Sequence, residues 1–200
     1  MFKNFLVSAI RNLFKQKGYF FINILGLAIG LTSFIFITLY VLHELSYDRF
    51  HSNFDNIYRV KIEGQMSGQK LDGPITASPM AKALVEEYPE VEQAVRIGEF
   101  GSWIVSYNNK TFIEDHFLFA DSSFFKIFDF KLLEGDPNQA LVHPRSVILS
   151  QTYAKKYFGS EDPMGKLIKV EQDTVFYKVT GIVEDTPENS HFKYDLIGSC

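Results

Sequence analysis

Charge is absent from residues 20–42, FFINILGLAIGLTSFIFITLYVL, across 23 consecutive positions. A helix of that length reaches roughly 34 Å, enough to cross a hydrocarbon core of about 30 Å with slight tilt. Its polar members, Asn23, Thr32, Ser33 and Thr38, are tolerable in a spanning helix. A secretory signal has a shorter apolar region that ends in a small-x-small cleavage site. Here the run ends in Val41-Leu42-His43-Glu44, so the pattern predicts a transmembrane helix over residues 19–43. Ahead of it, Phe2, Phe5, Leu6, Ala9, Ile10, Leu13 and Phe14 recur at helical spacing opposite Lys3, Asn4, Ser8, Arg11, Asn12, Lys15 and Gln16. This predicts an amphipathic helix over residues 1–18 lying in the headgroup region, with Gly18 at the turn into the span. The alternative is the end of one long helix. Within the span, Gly26, Gly30 and Ser33 form a face of small residues, which lets another transmembrane helix approach closely.

Beyond the span the pattern changes. Residues 44–56, ELSYDRFHSNFDN, are polar and aromatic, and Leu45, Phe50, Phe54 and Ile57 are placed to continue the helix as a stalk. Alternation in IYRVKI predicts a strand over residues 57–62. A glycine-bearing loop (Gly64, Gly68, Gly73) leads to a helix with Ser78 as N-cap, Pro79 in its first turn, and Met80, Leu84 and Val85 as its buried stripe. Tyr88-Pro89 ends that helix, and a strand over residues 91–97 completes a strand–helix–strand unit. Next comes a hairpin, residues 103–107 and 110–113, turning at Asn108-Asn109. A strand over 116–120 and a short helix carrying Phe124, Phe125, Ile127 and Phe128 follow. That helix is expected to be capped from Asp121-Ser122-Ser123. Asp129–Glu134 runs into a Gly135-Asp136-Pro137 turn. A strand over 146–149 precedes a helix capped by Ser150 and stopped at Gly159. Segments 167–171 and 176–183 read as paired strands, and the chain closes in polar loop through Tyr194-Asp195-Leu196. The fold class is α+β.

Charge gives this pattern an orientation. Lys3, Arg11, Lys15 and Lys17 make residues 1–42 +4, whereas residues 43–200 hold 16 basic and 24 acidic residues, a net −8. Positive charge before the span puts the N-terminus in the cytoplasm and residues 44–200 outside. An acidic outer part excludes nucleic acid as a partner, because phosphate contact requires a basic face. The single cysteine, Cys200, means the domain folds without disulfides.

Chemical motifs are rejected one by one. Gly159-Ser-Glu-Asp-Pro-Met-Gly165-Lys166-Leu167 has one residue too many between its glycines for a phosphate loop, and Leu167 stands where Ser or Thr is needed. His43, His51, His116, His143 and His191 have no metal-ligand spacing. No serine sits in a G-x-S-x-G elbow, and no carboxylate pair stands out. No catalytic residue, metal or cofactor is expected. The 20 Phe and ten Tyr are mostly core.

Several stretches together carry a resemblance that no one of them carries alone. They are NILGLAIGL in the span and ELSYDRFHSNFDNIYRV just after it, then ITASPMAKALVEEYPEVE, YNNKTF, FADSSFFKIFDFKLLEGDPNQAL, SVILSQTYAKKYFGSEDPMGK and VTGIVEDTPENSHFKYD. In order and spacing, over nearly the whole chain, these resemble the N-terminal part of MacB/FtsX-type ABC transporter permeases, especially the large versions of Bacteroidetes. The resemblance implies an incomplete two-lobed periplasmic core domain over residues 57–200, with a porter-like lobe begun by residues 57–97 and a smaller α/β lobe from Trp103. It implies further spans beyond Cys200, a bacterial inner-membrane location, and a cytoplasmic ABC ATPase on a separate chain. It also implies a homodimer of the full-length permease, a periplasmic adaptor, and export or extraction of a macrolide, peptide or lipoprotein by mechanotransmission. Under it, Gly26, Gly30 and Ser33 are the helix-packing face, and Tyr47, Asp48, Arg49, Phe50 and Phe54 in the stalk are the transmission element. The alternative reading is a single-span, membrane-anchored ligand-binding or sensor domain.

Overall fold

The computed structural model describes residues 11, 15, 17–66, 68–170 and 175–200. The amphipathic helix expected over residues 1–18 lies almost wholly outside the described residues. The chain divides into two compact units, residues 1–47 and 48–200. The first is a helix, α1 (Lys17–Glu44), long and apolar enough to cross a membrane and with no buried residue. The helix does not continue into the following segment, as the Leu45–Phe50–Phe54 spacing suggested. Ser46 closes its last turn, donating from both N–H and Oγ to the His43 carbonyl (3.0 and 2.6 Å). Asp48 then takes φ 55, a left-handed conformation that ends helical propagation. A 3-10 turn follows at Phe54–Asn56.

The second unit contains β1 (Ile62–Met66), β2 (Gln69–Gly73), α2 (Met80–Glu87), β3 (Ile97–Glu99), β4 (Trp103–Tyr107), β5 (Lys110–Glu114), β6 (Phe117–Ala120), α3 (Phe124–Ile127), β7 (Leu132–Glu134), β8 (Ser146–Ser150), α4 (Gln151–Phe158), β9 (Leu167–Val170), β10 (Val175–Val183) and β11 (Leu196–Ser199). Nine strands form one mixed sheet in the order β3-β6-β11-β8-β10-β9-β4-β5, with β7 also beside β10. Strands β6 and β11 are parallel, as are β8 and β10, whereas β11 and β8 are antiparallel. Strands β1 and β2 pair only with each other.

Both faces of the sheet centre are covered, which is why β6, β8 and β11 are buried at every position. Side chains alternate between faces. Phe117, Phe119, Val147, Leu149 and Leu196 join Trp103, Val105, Ile168, Val170, Tyr177 and Val179 in one cluster, sealed by Tyr157 and Phe158 of α4. Leu118, Ala120, Ile148 and Ile197 join a second cluster with Phe124, Phe128, Phe130, Ala140, Leu141 and Tyr194. Glu114 of β5, only 1% exposed, is held by Lys156 Nζ at 2.8 and 2.9 Å and by the Tyr157 hydroxyl. Burial, reinforced by this carboxylate, pushes the Tyr157 hydroxyl pKa upward.

Local signals located several elements. The Asn108-Asn109 hairpin forms with Tyr107 opposite Lys110, and Asn108 has φ 51, which asparagine tolerates. Ser150 accepts the Tyr153 N–H, and α4 stops at Gly159 with φ 65. Other expectations fail. Among the described residues, 57–61 form no strand and 91–96 stay irregular where a strand was expected, so the strand–helix–strand unit over 57–97 does not form; β3, starting at Ile97, joins the large sheet. The α2 helix begins one residue later than expected, with Pro79 at its N-cap position. Ser78 Oγ instead accepts from Arg96 Nη1 (2.8 Å). Val85, assigned to a buried stripe, is 42% exposed. Neither Asp121 nor Ser123 caps α3 through its side chain: Asp121 pairs with Arg96, and Ser123 Oγ donates to the Ala94 carbonyl. The polar ending at Tyr194–Leu196 in fact leads into β11, a central strand.

Ile148→Ala should cost about 2–5 kcal/mol through cavity formation, and Ile113→Ala, at a position 69% exposed, within about 0.5 kcal/mol. Urea unfolding of the detergent-solubilised chain, followed by fluorescence of the single tryptophan Trp103, measures both.

Candidate functional site

The sheet unit begins at Asp48, four residues after α1. At most about 14 Å of backbone separates Glu44 from Asp48. The Asp48 N–H donates to the Asn189 carbonyl (2.9 Å), and its carboxylate accepts the His191 N–H (3.0 Å) and contacts His191 Nδ1 (2.6 Å). The left-handed turn at Asp48 thus aims a short carboxylate at a loop 143 residues away in sequence.

Three residues on, His51 is 3% exposed. Its ring sits among those of Phe50, Phe128 and Phe130, at centroid distances of 4.1, 5.3 and 5.1 Å. Nδ1 accepts the Asp129 backbone N–H at 3.1 Å, so that nitrogen carries no proton and the neutral ring holds its hydrogen on Nε2. Nε2 is buried and has no hydrogen-bond partner. Burial lowers the His51 pKa, against the opposing pull of Asp48 and Asp129. Ser52 completes the joint, donating from its N–H (2.5 Å) and Oγ (2.7 Å) to one Asp129 oxygen. Those two donors hold the Asp129 carboxyl below its usual range. Phe50 and Ile57 pack against the Phe124–Phe128–Phe130 cluster.

The other expected transmission residues lie nearby with lighter contacts. The Arg49 guanidinium lies 5.9 Å from the centroid of Phe54, itself 38% exposed. Tyr47 meets His43 edge-on at 5.5 Å. Gly26, Gly30 and Ser33, at i, i+4 and i+7, share one face of α1, and nothing lies within 4 Å of a Cβ built at either glycine.

A separate cavity of about 330 Å³ lies among His116, Thr152, Tyr153, Asp185 and Asp195. Its polar groups serve one another: Asp185 accepts from Thr152 N and Oγ1 (3.0 and 2.7 Å), and Asp195, its carboxyl pKa raised by burial, is hydrogen-bonded by Tyr153. Among the described residues no three His, Cys, Asp or Glu side chains are grouped to hold a metal.

Residues 20–197, which take in the apolar helix, the joint and the sheet, match the family model described as MacB-like periplasmic core domain. The chain belongs to that family. Three solved structures are similar to the chain. A domain assigned to a permease protein from Porphyromonas gingivalis is 27% identical, with TM-score 0.57, over 66% of this chain and 55% of that one. The periplasmic region of MacB from Actinobacillus actinomycetemcomitans is 21% identical, with TM-score 0.45, over 60% and 52%. The extracellular domain of the ABC-type transporter YknZ from Gram-positive bacteria is 18% identical, with TM-score 0.40, over 52% and 52%. The chain spans about half the length of these structures. No curated protein sequence matches it.

For this MacB-like domain the sequence pointed to Asp48 and Phe50 but not to their partners. Weighed as metal ligands, the histidines show no pattern. As hydrogen-bonding groups, His51 and His191 close the joint. Asp129 and Phe130 stand out only once the sheet brings them to the segment. Asp129→Ala should speed exchange of the Ser52 amide about fivefold, the effect of about 1 kcal/mol once exposure of the carboxylate is allowed for, and leave the β8 amides unchanged. Residue-resolved hydrogen exchange on the full chain reads both.

Proposed function

We propose that the chain is the N-terminal part of a MacB/FtsX-type ABC transporter permease. Such a permease couples cytoplasmic ATP hydrolysis to periplasmic movements that export or extract a macrolide, peptide or lipoprotein. The observation that carries this reading is the family match over residues 20–197, which takes in an apolar helix and the domain fastened to it. In this reading α1 crosses the bacterial inner membrane, residues 1–18 lie on its cytoplasmic side, and residues 44–200 are periplasmic. The permease itself is non-catalytic. It works as a homodimer with a cytoplasmic ATPase on a separate chain and a periplasmic adaptor.

The mechanical argument is short. A force applied along α1 reaches Asp48 through three intervening residues and meets hydrogen bonds to two distant loops, where a flexible linker would dissipate it. Tyr47, Asp48, Arg49, Phe50 and Phe54 form the transmission element, and Gly26, Gly30 and Ser33 the face on which α1 packs against a neighbouring helix.

Tagged full-length protein purified from native membranes should bring a P-loop ATPase with it. Isolation without any ATPase, from a gene encoding no further spans, contradicts the permease reading. Gly26→Leu combined with Gly30→Leu should uncouple ATPase activity from export in the full-length protein. Unchanged export at normal expression would refute that role for the glycine face.

A further inference from the structure

We infer that His51 makes the packing of residues 48–52 within the sheet unit acid-sensitive: protonation of its imidazole breaks the His51–Asp129 contact and leaves the Asp48 and Ser52 contacts in place. Nδ1 can accept the Asp129 N–H only while it is unprotonated. A proton there sets two N–H groups face to face and puts a charge among Phe50, Phe128 and Phe130, in a seat where the ring is almost fully buried. The ionisable groups around the ring are Asp48 on its own segment and Asp129 on the loop after α3, with His191 behind Asp48. Asp129, ionised and holding two Ser52 donors on one oxygen, pulls the His51 pKa upward as Asp48 does, but burial of the ring outweighs both. Asp48 is committed to the His191 backbone N–H and lies against its ring nitrogen.

The Asp48 and Ser52 contacts hold, and the His51–Asp129 contact lets go. The segment then stays tethered at Asp48 and Ser52 while the His51 ring leaves its seat. The sign follows from the direction of the shift. His51 binds a proton less readily when seated than when released, so the seat is fully formed above the ordinary histidine pKa of about 6.5 and weakens as pH falls below it. Between about pH 7.5 and 5.5 the seated fraction relative to the released one should fall, by up to about tenfold. This goes beyond the transport reading and does not depend on it.

The test is made on the full chain in lipid nanodiscs by ¹⁵N NMR. At pH 7.5 the His51 ring nitrogens should report a neutral ring protonated at Nε2. The protection factor of the Asp129 amide, corrected for intrinsic exchange, should drop severalfold, by up to about tenfold, on going to pH 5.5, with the Asp48 amide unaffected. His51→Asn, whose Oδ1 occupies the place of Nδ1 and cannot titrate, should abolish the drop. A His51 ring protonated at Nδ1 at neutral pH, or Asp129 protection that is constant to pH 5.5, overturns the inference without needing any variant. An equal drop in His51→Asn also overturns it. None of these outcomes depends on whether an ATPase binds, so failure here leaves the transport reading standing, and the reverse also holds.

Discussion

Burial of β6, β11 and β8 on both faces is the constraint on which the rest of the second unit depends. Each of these strands sends alternate side chains into two clusters, and no strand is buried at every position unless both faces are roofed. On one face the roof is α4, and on the other it is α3 and the aromatic loop after it. Phe128 and Phe130, which complete the second roof, also form the walls of the His51 seat. The joint is therefore an outgrowth of the core, built on side chains that the sheet has already immobilised.

This arrangement has a folding consequence. Strand β11 lies at the centre of the sheet, between β6 and β8. Its parallel partner begins 79 positions earlier, at Phe117 opposite Leu196. The sheet centre is thus assembled from distant segments, a topology that folds slowly compared with local hairpins. The β4–β5 hairpin and α4 have strong local signals, and Glu114 with Lys156 and Tyr157 ties one to the other.

What the sequence reveals and what it conceals follow the same division. Asn108-Asn109, Ser150 and Gly159 act within a few residues of themselves, so the hairpin and α4 are legible from pattern alone. The α+β class and the apolar helix are legible for the same reason. Strand β11 is not. LIGS is short, contains glycine and serine, and becomes a strand because β6 and β8 flank it. IYRVKI errs the other way: its alternation suits a strand, but residues 57–61 have no partner in the described structure and stay unpaired. Alternation records that a segment can pair, not that a partner is there. The joint was half legible. Asp48 and Phe50 lie in a conspicuous polar-aromatic stretch, whereas Asp129 is 78 residues from His51 and His191 is 143 from Asp48. Nothing in the local sequence links them.

The central claim is that residues 48–52 are an ordered part of the sheet unit and not a loose tether. Backbone order parameters across residues 48–52, from ¹⁵N relaxation of the full chain in nanodiscs at neutral pH, test this directly. The account predicts values of about 0.85, matching those of β8. Values below about 0.6 in this segment, with β8 remaining rigid, would contradict it.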